Sequence, residues 1–407
     1  MARKSTAEGM SSAAARRVID RLLRFRIEVP SWGYADTGTR FGKFLQDAAA
    51  VDLEDKLADA GVTNRYTGIT PTVAVHVLWD FPDGFDPAVV RLARKHGVKI
   101  GSINPNLFQD QCYKYGSLTN RDPQVRKRAL GHVLDSIAIL APARSKYLSL
   151  WMADGTNYPG QADIRQRKAW ATEALKTAHA ALPRGKVMLI EYKPFEPGAY
   201  FTDFFDWGAG YVFAKAAGPQ AKVLVDTGHH LQGCNIEQIV AWLIDEKMLG
   251  GFHFNDRKYA DDDLTVGSID PYQAFRIFNE IVAYEWETGR DLDIAYMIDQ
   301  SHAIKPKVQA MIQTACTVQE LLAKALCVDR KALARAQGRE DTVASEEVLR
   351  TAFKADVAPL LAAVRKKLGV PADPLAAFRS SGYEQQAAKD RRAKRKALGL
   401  TGGSSYA

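Results

Sequence analysis

The sequence predicts an α/β protein of the (β/α)8 barrel class with a C-terminal helical extension. Three observations predict it. Short apolar or β-branched runs alternate with longer stretches of helical period. Eight such runs fall within roughly 280 residues, the size of one such barrel. Each run also ends in polar residues, as barrel strands do where they open onto a site.

The first four runs are EVPSWGY from Glu28, TVAVHVLW from Thr72, VKIGSINPN from Val98 and YLSLWMAD from Tyr147. KVMLIEYKP from Lys186, AKVLVDTGHH from Ala221, GGFHFNDRK from Gly250 and DLDIAYMIDQ from Asp291 complete the set. Near-continuous apolar runs suit parallel strands buried on both faces. Helical segments separate them, such as VRKRALGHVLDSIAIL and IEQIVAWLIDEKML. No glycine-rich phosphate loop follows the first strand, so an open dinucleotide-binding sheet has no support. From about residue 306 the pattern is helical: VQAMIQTACTVQELLAKAL, then VLRTAFKADVAPLLAAVRKKL. The expected organisation is an N-terminal helical segment (1–27), the TIM barrel (28–305), a helical extension at subunit contacts (306–385) and a flexible basic tail (386–407).

Composition narrows the function classes. With 46% hydrophobic and 25% charged residues, the 407-residue chain has ample material for a soluble core. Much of the excess behind its +8 charge lies in AAKDRRAKRKALGL, which reads as a solvated helix face rather than a nucleic-acid surface. Cys112, Cys234, Cys316 and Cys327 form no CxxC pair and suit a reduced, cytoplasmic protein. The N-terminus lacks the apolar core of a secretory signal, and no apolar stretch approaches about 18 residues, so no membrane association is expected.

The chemistry should lie at the C-terminal ends of the strands. Five of the eight histidines fall there: His76, His229, His230, His253 and His302. Glu191, Asp226, His253 and Asp299 end four consecutive strands and can converge on one point. Three carboxylates and one imidazole make an oxygen-rich site suited to Mn²⁺ or Mg²⁺, with Co²⁺ and Zn²⁺ also admissible. A second ion is expected on Asp226, His229, Asp261 and Asp263, with Asp226 shared, if the DRKYADDD stretch is extended. Lys193, two residues beyond Glu191, is placed to stabilise charge on a substrate oxygen or to pair with Glu191. His76 with Trp79, and Trp32 and Trp151 at other strand ends, give the polar–aromatic lining common in carbohydrate sites.

The segments PSWGYADTGTRF, PTVAVHVLWD, LIEYKP, VDTGHH, GFHFNDRKYADDDLTVGSIDP and MIDQSH resemble the xylose-isomerase-like barrels. Within them the chain is similar to the bacterial, broad-specificity L-rhamnose isomerases, from roughly residue 25 to residue 390. The resemblance implies a structural metal site at Glu191, Asp226, His253 and Asp299 and a catalytic one at Asp226, His229, Asp261 and Asp263. It implies two divalent ions per subunit, Mn²⁺ preferred, with Lys193 near the reacting oxygens and His76 at ring opening or O5. It also implies a homotetramer in which Phe41, on the loop after the first strand, reaches a neighbouring subunit's site. The implied reaction is L-rhamnose to L-rhamnulose, with turnover of other aldoses such as D-allose to D-psicose. Hydrogen would move between C1 and C2 as a hydride, or as a proton through an enediol with Asp299 as shuttle. Phe41, Trp79 and Trp32 would give the apolar wall that a 6-deoxy methyl calls for.

Three rival readings are separable. A ketose epimerase of the same superfamily needs a glutamate on the eighth strand, where this chain has Asp299. A phosphodiesterase acting on damaged DNA needs more histidine ligands and a basic groove where this chain is acidic. A binding module using the basic tail would retain its function without the barrel chemistry.

Overall fold

The computed structural model describes residues 11–36, 44–196, 201–259 and 262–400. Eight parallel strands pair in chain order: β1 (Val29–Pro30), β2 (Thr72–His76), β3 (Lys99–Asn104), β4 (Tyr147–Trp151), β5 (Val187–Glu191), β6 (Ala221–Asp226), β7 (Leu249–Phe254) and β8 (Ala295–Ile298). Glu28 joins the ends. Its N–H donates to the Tyr296 carbonyl at 2.8 Å, and its own carbonyl accepts from Ile298 at 2.9 Å. The (β/α)8 TIM barrel expected from the sequence is thereby present.

Helix α1 (Ser12–Arg24) precedes the barrel. The outer layer is α2 (Leu53–Thr67), the single turn α3 (Val77–Asp80), α4 (Ala88–Lys95), α5 (Pro123–Leu140), α6 (Ile164–Ala181), α7 (Trp207–Ala217), α8 (Ile236–Asp245), α9 (Pro271–Thr288) and α10 (Lys307–Leu326). Local chemistry sets where they begin. Asp52, Asp122, Asp163, Asp206, Asn235 and Asp270 each accept a hydrogen bond from an otherwise unpaired N–H of the first turn. Each such cap contributes about 1 kcal/mol.

Two of the expected strand runs turn helical before they end. EVPSWGY is extended only at its start, because Trp32–Tyr34 turn into a 3-10 helix. In TVAVHVLW the last residues belong to α3, whose turn is fixed by Asp80: its carboxylate accepts from the His76 N–H (2.8 Å), Ser31 Oγ (2.6 Å) and Lys56 Nζ (2.7 Å).

The C-terminal part also departs from the sequence reading. Helix α10 packs between α9 and α2 and is the eighth helix of the barrel, so the barrel extends past residue 305. Then follow α11 (Arg330–Gln337), α12 (Thr342–Phe353), α13 (Ala358–Leu368), α14 (Pro374–Arg379) and α15 (Tyr383–Ala397). The long pattern from Val348 divides into α12 and α13, with Pro359 in the first turn of α13, where the missing N–H does no harm. Residues 386–397 were expected to be a flexible tail but are helical, because their cations pair with aspartates around α2.

Inside the barrel, Leu189, Leu224, Ala295 and Met297 pack as a separate apolar cluster. Glu191, Asp226 and Asp299 stand two residues beyond Leu189, Leu224 and Met297. Strand alternation therefore carries all three one layer above this apolar plug. His253 occupies the corresponding place on β7, opposite Asp226 and Met297 in the register.

Helix α1 is pinned by a buried bidentate pair in which Arg21 donates to Glu285 of α9 at 2.8 and 2.9 Å. Arg21→Ala would strand that carboxylate in the interior and is expected to lower the unfolding free energy by about 3–5 kcal/mol. Denaturant titration measures this, and a loss well under 1 kcal/mol would show the pair to be dispensable.

Candidate metal centre

Ligand atoms of Glu191, Asp226, His253 and Asp299 all lie within 4.8 Å of one another at the barrel mouth. His253 sits centrally. Its Nδ1 is 3.1 Å from Glu191 Oε2, 3.6 Å from Asp299 Oδ2 and 3.9 Å from Asp226 Oδ2. Glu191, Asp226 and His253 are buried, whereas the Asp299 side chain retains some exposure. The expected quartet is thus brought together.

Neighbouring groups aim these side chains. Asn255 Nδ2 donates to both oxygens of Asp226, at 3.0 and 3.1 Å, and the Gly228 N–H donates to Asp226 Oδ1 at 2.7 Å. A Cβ at position 228 would lie 2.3 Å from Asn255 Oδ1, so any other residue there would displace Asn255 from Asp226. Close approach, rather than a special backbone angle, explains the glycine of DTGHH. Trp32 Nε1 holds Asp299 by donating to its Oδ1 at 2.9 Å.

The electrostatics are those of a crowded anionic site. Burial opposes ionisation of Glu191, yet His253 and His229 hold its carboxyl below the usual range. Burial raises Asp226 to about 7; His229 pulls it down, while Glu191 and Asp299 push it up. Burial lowers His253, but Glu191, Asp299 and Asp226 together outweigh this and raise it to about 9. Neither ring nitrogen of His253 makes a well-directed hydrogen bond although both are buried. A divalent cation among these oxygens would relieve the repulsion and take up an imidazole nitrogen, so the residues fit such an ion.

The second expected set is partly placed. His229 Nε2 lies 3.9 Å from Asp226 Oδ2, and its Nδ1 is 3.2 Å from both Glu191 Oε1 and the Tyr192 carbonyl. Asp261 lies outside the described residues. Asp263 has φ 50°, so the stretch is not extended there as the spacing argument assumed. Asp262 instead folds the loop by accepting from the N–H groups of Lys258 and Tyr259 at 2.7 Å.

Facing the quartet, the ends of β1–β4 supply an aromatic wall. Trp32, His76 and Trp79 meet with ring centroids 4.0 to 6.4 Å apart. Phe108 continues the wall, 5.8 Å from His76 and 4.6 Å from Trp151. Burial, with Lys56 adding to it, lowers His76 to about 3, so its ring is neutral. Lys193 Nζ stands 5.0 Å over the Trp151 ring and pairs with Glu196, not with Glu191. Phe41 lies outside the described residues. Sequence reasoning missed Phe108, Asn255 and Glu196. Phe108 follows NPNL beyond its strand, where nothing in the local pattern distinguishes it from an ordinary loop aromatic.

Comparison with known proteins follows the same lines. The xylose isomerase-like TIM barrel family matches residues 55–290. A probable sugar isomerase of Mesorhizobium japonicum is 40% identical over 386 residues, covering 94% of this chain and 88% of that protein. One of Rhizobium meliloti is 40% identical over 395 residues, covering 94% and 92%. Among solved structures, an L-ribulose 3-epimerase superposes with a TM-score of 0.54 at 13% identity, covering 74% of this chain and 95% of that one. At that identity the likeness shows the fold alone.

The raised groups set a pH dependence for the metal-free protein. His253 moves from an ordinary 6.5 to about 9, so its stabilising contribution is full below 6.5 and lost as pH rises through 9. Asp226 acts in the same sense between 3.8 and about 7. Glu191, held below 4.5, acts oppositely and only in acid. In excess chelator the melting temperature is therefore expected to fall from pH 6 to pH 9, and Mn²⁺ to restore more at pH 9 than at pH 6. Parallel thermal melts check this. A Mn²⁺ effect that shrinks with rising pH would contradict the proton–metal competition.

Proposed function

This chain belongs to the xylose isomerase-like TIM barrel family, and on that basis we propose that it is a divalent-metal-dependent aldose–ketose isomerase of small unphosphorylated sugars. The observation that carries the reading is the convergence of Glu191, Asp226, His253 and Asp299 opposite a wall of aromatic rings. We assign L-rhamnose to L-rhamnulose as the main reaction, with slower turnover of aldoses such as D-allose. The 40%-identical relatives, named probable sugar isomerases, support the reaction class.

Glu191, Asp226, His253 and Asp299 would hold one ion, Mn²⁺ by preference. Asp226, His229, Asp261 and Asp263 would hold a second. When bound, such ions supply Lewis-acid stabilisation of negative charge on the vicinal sugar oxygens. The protein's own groups do the rest. Lys193 is placed to donate to an oxygen on which charge develops. Neutral His76 can donate or accept at the ring oxygen or the O5 hydroxyl. Asp299, oriented by Trp32, is the carboxylate nearest the open side and the one suited to move a proton between carbons. Trp32, Trp79 and Phe108 exclude water and give the far end of the sugar an apolar wall. Such a wall rejects an added hydroxyl by only about a hundredfold, which accounts for broad specificity. We further propose a homotetramer in which Phe41 covers a neighbouring subunit's site.

An epimerase reading has the fold likeness behind it, but the eighth strand carries Asp299, a shorter reach than the glutamate that chemistry needs. Both readings are tested by one assay with Mn²⁺ on L-rhamnose, L-mannose, D-allose and a phosphorylated aldose, with products identified by stereochemistry. The highest kcat/KM is expected on L-rhamnose. Preference for the phosphorylated sugar, or C3 inversion of ketoses without C1–C2 isomerisation, would overturn the proposal. Lys193→Met should lower kcat by about 100-fold or more while leaving Mn²⁺ binding intact; a near-normal kcat would remove Lys193 from the chemistry. Light scattering that gives a monomer would remove the role of Phe41.

A further inference from the structure

We infer that helix α15 is an intramolecular strap that positions the metal centre, with Arg395 acting through the Trp32–Asp299 hydrogen bond. The inference rests on the metal site proposed above and adds a control on it from the far end of the chain.

Tyr383, Ala387, Arg391 and Arg395 recur every four residues and share one face of α15. That face is turned inward. Tyr383 donates to Asp59 Oδ1 at 2.7 Å, and Arg391 grips the same buried carboxylate through two hydrogen bonds of 2.8 and 2.9 Å. Arg391 also donates to the Ala48 carbonyl. Arg392 pairs with Asp47, and Lys394 with Asp52 and Asp55. The basic cluster is thus matched by aspartates between positions 36 and 59, which leaves it poorly suited to a nucleic acid.

Arg395 is the member that reaches toward the site. Its guanidinium donates to Asp36 Oδ2 at 2.9 Å, to the Ala49 carbonyl at 2.8 Å and to the Asp47 carbonyl at 3.0 Å. It therefore ties together the chain leaving β1 and the chain entering α2. Asp36 adds a second tie by accepting from the Gln46 N–H at 2.9 Å. Gln46 in turn donates to the carbonyls of His302 and Ala303, in the loop just beyond Asp299. Ala50 donates to the Tyr34 carbonyl at 2.8 Å, two residues from Trp32. Asp36 stands four residues beyond Trp32, whose indole holds Asp299. Arg395 thus braces the segment that carries Trp32 and the segment hydrogen-bonded to it at Tyr34.

The test is a double-mutant cycle on Arg395→Ala and Trp32→Phe in the full-length protein. Three quantities are read: the Mn²⁺ dissociation constant by calorimetry, the indole N–H resonance of Trp32, and kcat and KM. Removing an outer-shell partner weakens metal binding by about 10–100-fold, so Trp32→Phe should fall in that range. Arg395→Ala should weaken binding by a smaller factor and shift the Trp32 resonance. The double variant should be no worse than Trp32→Phe alone, because the two act in series. Exposed Lys389→Ala, on the opposite face, should change none of these. Additive losses, or an unmoved Trp32 resonance in Arg395→Ala, would overturn the inference. A wild type that binds no Mn²⁺ but whose Trp32 resonance moves in Arg395→Ala would overturn the metal reading and sustain the strap.

Discussion

Ligand atoms of three carboxylates and an imidazole are held within 4.8 Å of one another at one end of the barrel, just above an apolar cluster. Two like charges about 4 Å apart repel by roughly 4 kcal/mol at an effective dielectric near 20. A loose scaffold would let these side chains swing apart into water. The barrel prevents this because each of the four residues sits at or just past the end of a strand that is hydrogen-bonded to the next. Trp151 opposes Glu191, and Asp226 opposes His253. Fixed donors then hold the carboxylates: Asn255 and the Gly228 N–H on Asp226, Trp32 on Asp299. Much of the local sequence around the mouth serves that arrangement.

The same constraint divides the barrel into halves. Ends of β5–β8 carry the charge, and ends of β1–β4 carry the rings. A hard, anionic cluster next to apolar aromatics suits a ligand with hydroxyls on one side and carbon on the other. Trp32 joins the halves, since its ring packs with His76 and Trp79 while its Nε1 serves Asp299. Any change in the wall at Trp32 is therefore also a change in the carboxylate cluster.

Much of this was legible in the sequence because it depends on local periodicity. Eight apolar runs of strand length predicted the barrel, and polar residues ending consecutive runs predicted the quartet. Glu191 and Asp226 needed only the rule that the C-terminal ends of barrel strands open onto one site. The reading failed where structure depends on contacts distant in sequence. Phe108 joins the wall only because its loop folds over β4, and Asn255 matters only because Gly228 lets it approach Asp226. EVPSWGY is strand only at Val29–Pro30 for a local reason, since Trp32–Tyr34 form a 3-10 turn from which the indole reaches Asp299. Helix α10 looked like an extension because its sequence gives no sign that it lies between α9 and α2.

The C-terminal cations show the same limit most clearly. A run such as DRRAKRKA is a solvated face or a binding surface unless its counter-charges are known. Those counter-charges lie more than 300 residues away, near β1 and α2. Several of the aspartates have a local reading of their own: Asp52 caps α2, and Asp55 accepts from the Val51 N–H. Only in three dimensions do the two sets meet. The net charge of +8 then counts groups over the whole chain and does not say what the surface offers to a partner. Buried, hydrogen-bonded Arg391 illustrates the distinction: it adds to net charge, yet its guanidinium is committed to Asp59 and to backbone carbonyls. Charge counts from sequence acquire functional meaning only after the internal pairs have been subtracted.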